Sequence, residues 1–171
     1  HQIAGEIPYA APGNKRECTF LFIEADEDHI AEQHGRYKSK DGNKSFISRL
    51  AYLYEYKRES PKCKGRKELV NTFYFGGLYP GSDGIEKFWG NVNHFIEQTY
   101  NTEKIKHIFV SGDGAQWIKS GVKYLDKALF CADKYHLMQY INAASGQMLD
   151  EKELVKSELW HLLYKRSKDG F

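Results

Sequence analysis

Asp26 and Asp113 are the residues in this sequence best suited to hold a divalent metal ion. Each lies at the end of a short apolar run that is typical of a buried strand, residues 18–26 and residues 105–111. Strand ends are where α/β sheets present functional groups. Mg²⁺ prefers carboxylate oxygens and is usually held by one or two protein acids together with substrate phosphate. The pair therefore predicts a two-metal site for Mg²⁺ or Mn²⁺ that performs phosphoryl transfer on nucleic acid.

Other interpretations of these acids stay open. Asp26 would also serve as a turn-former or a helix cap, and Asp28, on the same predicted strand end, is a rival metal ligand. Asp113 lies between two glycines, and Gly-Asp-Gly is a common turn sequence. Asp133 and His136 are spaced i and i+3 on one helical face, so their side chains can approach each other or a common partner. A plain N-cap is the alternative role for Asp133.

Aromatic and basic residues allow two interpretations each. The three tryptophans, Trp89, Trp117 and Trp160, are more often core residues than base-stacking platforms. The densest basic run extends from Lys57 to Lys67, and it is either a solvated loop or a loop that contacts phosphates. The sequence does not decide between these roles.

Composition indicates one folded domain over residues 1–171. The chain is 41% hydrophobic and 15% aromatic, and its net charge of +2 is too small to imply a nucleic-acid partner by itself. Its three cysteines form no CxxC pair, which excludes zinc-ribbon arrangements and fits a reducing cytoplasm. No signal peptide or apolar run near about 18 residues is present, so we expect no membrane partner. The chain begins at His1, and we expect it to be a piece of a longer protein.

Hydrophobic periodicity predicts the strands and helices that position these residues. After the first strand we expect a second from His29 to Gln33, a turn at 40–43, a third strand over 46–56 and an extended stretch from Asn71 to Tyr79. Helical spacing then begins at Asp83, the expected cap, and continues to Tyr100. The remaining expected elements are a strand over 105–111, a short helix from Ala115, a strand over 127–132, a helix opened by Asp133 and a last helix from about Asp150 to Lys165.

This element order predicts the fold class. Three leading strands can pair as an antiparallel meander, while the later strands need helical crossovers. The order matches an RNase H-like α/β fold with a mixed five-stranded sheet and flanking helices. Residues 150–171 are the candidate start of a helical insertion.

Five short phrases occur in a fixed order along the chain. They are Ile23-Glu24-Ala25-Asp26, Tyr54-Glu55-Tyr56-Lys57, Phe88-Trp89, Ser111-Gly112-Asp113-Gly114-Ala115-Gln116-Trp117-Ile118-Lys119 and Asp133-Lys134-Tyr135-His136-Leu137. The most specific phrase is Gly112 to Lys119, which is followed about 20 residues later by Asp-x-x-His. Taken together in this order, the phrases resemble the insertion-sequence transposases of the Lre type, which are bacterial relatives of the Mutator-like group.

The resemblance implies a DDE-type DNA transposase that cuts transposon ends and joins them to target DNA with Mg²⁺ or Mn²⁺. Asp26 and Asp113 match the first and second catalytic acids. Asp133 and His136 match a motif with a structural or DNA-positioning role, and we expect Trp117 and Lys119 to share that role. The resemblance also implies a nucleoid-associated protein that forms a homo-oligomer at full length.

One feature departs from the family pattern. Such enzymes complete the triad with a glutamate on a later helix, commonly beyond an inserted region, and we expect this chain to end before that glutamate. Candidates on the last helix are Glu151, Glu153 and Glu158. Without a third acid the chain would bind metal weakly and catalyse little. The competing functions are another RNase H-like nuclease and a domesticated module that binds nucleic acid without cleaving it.

Overall fold

The structure is a computed structural model, which describes residues 14–31, 45–147 and 150–168. Within these ranges the chain is α/β. The strands are β1 Phe20–Ala31, β2 Ser45–Tyr54, β3 Tyr56–Glu59, β4 Lys67–Val70, β5 Phe73–Leu78, β6 His107–Gly112 and β7 Ala128–Ala132. The helices are α1 Gly81–Thr99, α2 Gln116–Lys119, α3 Lys134–Ser145 and α4 Lys152–Lys168, with a 3₁₀ turn over Ser120–Lys123.

The main sheet is mixed and has five strands in the order β5-β2-β1-β6-β7. Its three leading strands are antiparallel, since β1 pairs with β2 and β2 pairs with β5 in that sense. β6 then joins the other side of β1 in parallel. The expected mixed five-stranded sheet with an antiparallel start is confirmed. β3 and β4 form a separate two-stranded sheet.

One face of the main sheet packs in the core with α1. Leu21, Ile23 and Ala25 alternate along β1 and are buried, as the two-residue period of a strand requires. The same core contains the apolar residues of α1 that recur at helical spacing. Trp89 is fully buried, and its indole Nε1 donates to the carbonyl of Trp117 at 2.9 Å. Both tryptophans are therefore core residues.

The expected second strand from His29 to Gln33 is wrong. His29 and Ile30 are part of β1, which continues to Ala31 in register with β2. Ten residues of β2 are available for pairing, so the β1 backbone keeps its hydrogen-bond partner beyond Asp26. Residues 32 and 33 and the expected turn at 40–43 lie outside the described residues.

The start of α1 also differs from the expectation. The helix begins at Gly81 after Pro80, and no side chain caps it. Asp83 lies in the first turn rather than at the cap, where its charge still favours the positive end of the helix. Pro80 takes the extended conformation that precedes a helix, so the first residue of α1 lies closer to the N-terminus than the sequence pattern at Asp83 predicted.

The chain divides into two compact units, His1–Cys131 and Ala132–Phe171. In the second unit α3 packs with α4, and Ile141 and Ser145 are buried. Leu154 and Leu162 on α4 are each 60% exposed. Among the helices in the described ranges, none has the length and apolarity needed to cross a bilayer.

Candidate functional site

Asp26 lies on the face of β1 that is opposite the core. Because side chains alternate along a strand, Phe22, Glu24 and Asp26 share one face while Ile23 and Ala25 point into the core. The Asp26 side chain is exposed, and its Oδ1 accepts a hydrogen bond from the backbone N–H of Glu27 at 2.9 Å. This carboxylate is thus presented outside the core. The expected strand end at Asp26 is wrong, however, because β1 stays paired with β2 as far as Ala31.

Asp113 directly follows β6 and is half-buried. Its Oδ1 accepts from the backbone N–H of Ala115 at 2.8 Å, which shapes the turn that leads into α2. Gly114 in this turn has φ +95°, a conformation that L side chains rarely adopt. The turn-forming role considered for Asp113 is therefore present, and it is compatible with a second role for the same carboxylate.

The parallel pairing of β1 with β6 brings the two acids to the same level. Glu24 is the register partner of Ser111, and Asp26 and Asp113 each lie two residues further along. The backbones are still in close contact just before both acids, since a Cβ built on Gly112 would lie 2.7 Å from the carbonyl oxygen of Ala25. Neighbouring strands are about 4.8 Å apart, so the two acids lie at the same level at the edge of the sheet where β6 ends. Asp113 directly follows β6, whereas Asp26 lies within β1, which continues to Ala31.

Lys119 supplies a cation beside this edge. A Cβ on Gly114 would lie 3.7 Å from the Lys119 Nζ, so the ammonium lies against the turn that contains Asp113. The same Nζ is 5.9 Å from the centre of the Phe130 ring. No carboxylate in the described part of the chain forms an ion pair with it. Lys119 is therefore placed to meet an anion that approaches the acids.

Glu24 is a functional candidate that the sequence interpretation missed. Its carboxylate accepts hydrogen bonds from the hydroxyls of Tyr52 and Tyr54, the latter at 2.8 Å, and from the Lys57 ammonium at 3.0 Å. Tyr52 is its direct cross-strand partner on β2. Three donors thus fix one carboxylate on the same strand face as Asp26. The available signal was an acid inside an apolar strand, which requires partners of this kind.

The hydrogen bonds around Glu24 shift the pKa of several groups. Burial alone would raise the pKa of Glu24, but hydrogen bonds from Tyr52, Tyr54 and Lys57, together with the Lys57 charge, lower it below its ordinary value. Burial and the adjacent carboxylate raise the pKa of both tyrosines. Glu24 therefore stays ionised and both phenols stay protonated near neutral pH.

Glu24→Gln is expected to lower the free energy of unfolding at pH 7 by about 1–2 kcal/mol, because it replaces a charged acceptor by a neutral amide. Because the pKa of Glu24 is lower in the folded protein than in the unfolded chain, its ionised carboxylate stabilises the fold fully above the unfolded value near 4.5. This stabilisation is lost as the pH falls through the lower folded value. The difference between wild type and variant should therefore shrink in acid. Urea unfolding from pH 7 down to about pH 3 measures it.

Tyr52→Phe is the matched control, since it removes one donor and keeps the charge. It should cost less than Glu24→Gln at pH 7, because Tyr54 and Lys57 still hold the carboxylate. A Glu24→Gln effect that is independent of pH would contradict the assignment of the lowered pKa.

An aromatic face surrounds Glu24 on the side of the sheet opposite the core. The rings of Phe22 and Tyr54 stack at 5.4 Å, and those of Phe22 and Phe109 also stack at 5.4 Å. Beside them is an open cavity of about 250 Å³. We call this surface the aromatic face; its rings are Phe20, Phe22, Tyr52, Tyr54, Tyr74 and Phe109. The cavity is lined by Phe22, Ile23, Glu24, Tyr54, Phe109, Ser111 and Cys131.

Trp117 is buried in the core rather than presented as a stacking platform. The guanidinium of Arg49, itself only 7% exposed, lies over the Trp117 ring at 5.3 Å. Among the described residues, the Arg49 Nε and Nη1 and the Trp117 Nε1 have no hydrogen-bond acceptor. This cation–π contact connects the middle of β2 to α2, which follows the turn of Asp113.

Asp133 and His136 belong to the second unit. Asp133 caps α3, since its Oδ1 accepts from the backbone N–H groups of Tyr135 at 2.6 Å and His136 at 3.2 Å. The His136 Nδ1 is 3.6 Å from the same oxygen, too long for a hydrogen bond. The N-cap role and the expected approach of the two side chains are both present.

The candidate third acids also lie in the second unit. Glu153, in the first turn of α4, forms an ion pair with Lys156 at 3.1 Å, and Glu151 and Glu158 are exposed. Within the described ranges no group of three or more His, Cys, Asp or Glu side chains is arranged to hold a metal ion. A third ligand for the Asp26 and Asp113 edge stays a prediction.

Comparison with known proteins identifies a family. Residues 6–170 match the model of the uncharacterised protein family UPF0236. UPF0236 protein TTE0402 of Caldanaerobacter subterraneus subsp. tengcongensis is 35% identical over 156 residues, 91% of this chain and 28% of its own length. UPF0236 protein TTE2489 of the same organism is also 35% identical over 91% of this chain and 30% of its own length. The chain belongs to the UPF0236 family and spans less than a third of these relatives.

Proposed function

We propose that this UPF0236 chain forms most of the catalytic core of a DDE-type DNA transposase, in which Asp26 and Asp113 hold divalent metal. The observation that carries the proposal is the register of β1 and β6, which sets two aspartates at one level on neighbouring parallel strands. Functional groups in α/β sheets commonly lie at the carboxyl ends of parallel strands, and Asp113 directly follows the end of β6. The resemblance to Lre-type transposases points to the same two residues.

The fold that we propose for this core is RNase H-like. An antiparallel start made of β1, β2 and β5 precedes a crossover through α1 to β6, which joins β1 in parallel. The sheet order makes β1 and β6 neighbours, which is the condition for Asp26 and Asp113 to cooperate. This agreement between topology and acid placement supports the assignment.

The residues at this edge fit Mg²⁺ or Mn²⁺. Two carboxylates, of which Asp26 is exposed to solvent, match the preference of these hard cations for carboxylate oxygens and water. Bound metal would supply activation of a water or 3′-hydroxyl and stabilisation of the leaving oxygen. Asp26 accepts one backbone N–H, and a carboxylate has about four acceptor positions, so capacity for a cation remains on it.

Other side chains of the chain would act on the DNA rather than on the metal. The Lys119 ammonium beside the Asp113 turn would hold a phosphate oxygen by charge and hydrogen bonding. A third acid is required by the DDE assignment, and we propose that it comes from a later part of the full-length protein. Glu151, Glu153 and Glu158 are the candidates within this chain.

The names of the relatives give separate support. One relative from Caldanaerobacter subterraneus has a name that joins eleven locus designations, and another name joins four. Many loci that share one protein name in a single strain are expected of an element that copies or moves its own gene. A domesticated single-copy module would not require this pattern.

The test is cleavage of DNA by the full-length protein. The substrate is a plasmid carrying the terminal sequences that flank its own gene, incubated with Mn²⁺, and the control plasmid lacks those ends. We expect breaks at the ends, strand-transfer products and complete loss of both in EDTA. Equal cleavage of both plasmids, or cleavage confined to RNA–DNA hybrids, would assign the chain to a different nuclease.

A further inference from the structure

The segment between β2 and β5 is an ordered hairpin, not the open loop that its composition suggested. β3 pairs antiparallel with β4 from Tyr56 opposite Val70 to Glu59 opposite Lys67. The Ser60 N–H donates to the Arg66 carbonyl at 2.7 Å and closes the connection. We call the segment Tyr56–Val70 the basic hairpin.

The base of the basic hairpin is tied to the first unit. Glu55, just before β3, donates its backbone N–H to the Val70 carbonyl at 3.0 Å. The Glu55 carboxylate accepts from the Asn71 side chain at 2.8 Å and from the Tyr100 hydroxyl at 3.2 Å. Both ends of the hairpin are thus held by one residue, which fixes where its charges are presented.

The hairpin concentrates positive charge, most of which has no carboxylate partner among the described residues. Residues 57–67 contain six Lys or Arg and one acid. Lys57 pairs with Glu24 at 3.0 Å, and Arg58 pairs with Glu68 at 2.6 Å. The other four cations are exposed and form no ion pair with a carboxylate in the described ranges. They are Lys62, Lys64, Arg66 and Lys67.

We propose that the basic hairpin is an arm that contacts the phosphate backbone of duplex DNA. Four unpaired cations within six residues repel one another, and a regularly spaced polyanion relieves that repulsion. A two-stranded ribbon is also a shape that the DNA major groove admits. The connection 60–66 carries no large apolar side chain that would enter a bilayer, which favours DNA over a lipid surface.

The arm is linked to the candidate metal edge through Glu24. Lys57, in β3, contacts Glu24, which lies two residues from Asp26 on the same face of β1. Two residues of strand span about 7 Å, close to the spacing of successive phosphates on one strand of DNA. The identification of the polyanion as DNA rests on the proposed function, but the charge distribution of the arm does not.

The experiment measures binding of the full-length protein to a random-sequence duplex by fluorescence anisotropy, in EDTA, over a series of salt concentrations. In the arm variant Lys62, Lys64, Arg66 and Lys67 are all changed to Gln. Each phosphate contact contributes about 0.9 to the slope of log K against log salt. We expect the slope to fall by about 2 to 4 and the affinity at about 0.1 M salt to fall at least tenfold.

The matched control makes the same change in net charge elsewhere on the first unit. Lys87, Lys104, Lys106 and Lys123 are all exposed, and changing them to Gln should leave the slope within about 1 of wild type. Both variants should keep the wild-type thermal midpoint, because every altered side chain is exposed. An equal loss in both variants, or an unchanged slope in the arm variant, overturns the proposal.

A parallel measurement separates the partner classes and the two proposals. Anionic phosphatidylserine vesicles and polyglutamate are tested as competitors at equal charge concentration. If either displaces DNA from the arm as well as duplex DNA does, the assignment to DNA is overturned. Binding in EDTA does not depend on cleavage, so a protein that fails the cleavage test but shows the arm effect would refute only the proposed function.

Discussion

Asp26→Asn and Asp113→Asn are each expected to reduce metal-dependent cleavage of end-containing DNA by at least about a thousandfold, because each change removes one negative charge from the proposed metal site. A thousandfold corresponds to about 4 kcal/mol of transition-state stabilisation. That matches the several kcal/mol that a correctly held metal ion contributes to such reactions. Single-turnover cleavage by the full-length protein in Mn²⁺ measures the rates.

Asparagine separates the charge of these residues from their local hydrogen bonds. Asp26 accepts from the Glu27 N–H and Asp113 accepts from the Ala115 N–H, and the amide oxygen of asparagine accepts the same bonds. The turn that leads into α2 is therefore expected to survive. If Asp113 acted only as a turn-former, Asp113→Asn would cleave at nearly the wild-type rate.

Asp28→Asn is the matched control. Asp28 is exposed and alternates onto the same face of β1 as Asp26, so it is the rival ligand that the sequence left open. Its register partner is Ser48 on β2, further along β1 than the level of Asp113. We expect a change of less than about threefold, as for a surface substitution away from the site. A thousandfold loss in Asp28→Asn with full activity in Asp26→Asn would transfer the role to Asp28.

The strands that carry the two acids could be predicted because the information is local. An apolar run of β-forming residues identifies the strand that contains Asp26, although the acid does not mark its end, since β1 continues to Ala31. The turn at Asp113 is similarly local, since Gly114 supplies a conformation with positive φ. Which strands are neighbours is a property of the whole chain, and the order of elements only restricts the possible topologies.

The Glu24 cluster could not be predicted in the same way. Tyr52 and Tyr54 lie 28 and 30 positions from Glu24, and only the register of β1 with β2 brings them together. A shift of one residue would direct both tyrosines to the core face. The sequence contained the alternation but not the register, so the partners of this acid were missed.

The basic hairpin shows another limit of sequence reasoning. The strand Lys67–Val70 is only four residues long and begins with two charged residues, which composition assigns to a loop. Its pairing with β3 depends on the turn at Gly65, where φ is +79°. Short strands that owe their stability to a turn and to tertiary anchors such as Glu55 carry little periodic signal.

Gly112→Ala is expected to lower the free energy of unfolding by about 2–3 kcal/mol and to reduce cleavage at least tenfold. A Cβ at this position would lie 2.7 Å from the Ala25 carbonyl oxygen and 2.7 Å from the Ile118 Cδ1. The carbonyl belongs to the backbone of β1 and cannot rotate away, so β1 and β6 must separate. Because Asp113 is the next residue, its carboxylate moves relative to Asp26.

Gly90→Ala and Ile118→Val provide the controls. Gly90 is exposed in α1 with nothing within 4 Å of a built Cβ, so Gly90→Ala should stabilise the protein by about 0.5–1 kcal/mol. Ile118→Val removes the Cδ1 atom that the new Cβ meets, at its own cost of about 0.5–1.5 kcal/mol. In the double variant with Gly112→Ala, the combined loss of stability should therefore be less than additive.

Cleavage by this double variant distinguishes the two contacts at Gly112. Ile118→Val removes the contact between the new Cβ and the Ile118 Cδ1 but leaves the contact with the Ala25 carbonyl unchanged. The free energy of unfolding should therefore recover in part, while the cleavage rate stays low. Urea unfolding and the single-turnover cleavage rate are compared for both single variants and the double variant. Should Gly112→Ala be as stable and as active as wild type, β1 and β6 are not in close contact at this level. The two aspartates would then lack the shared edge on which a common metal site depends.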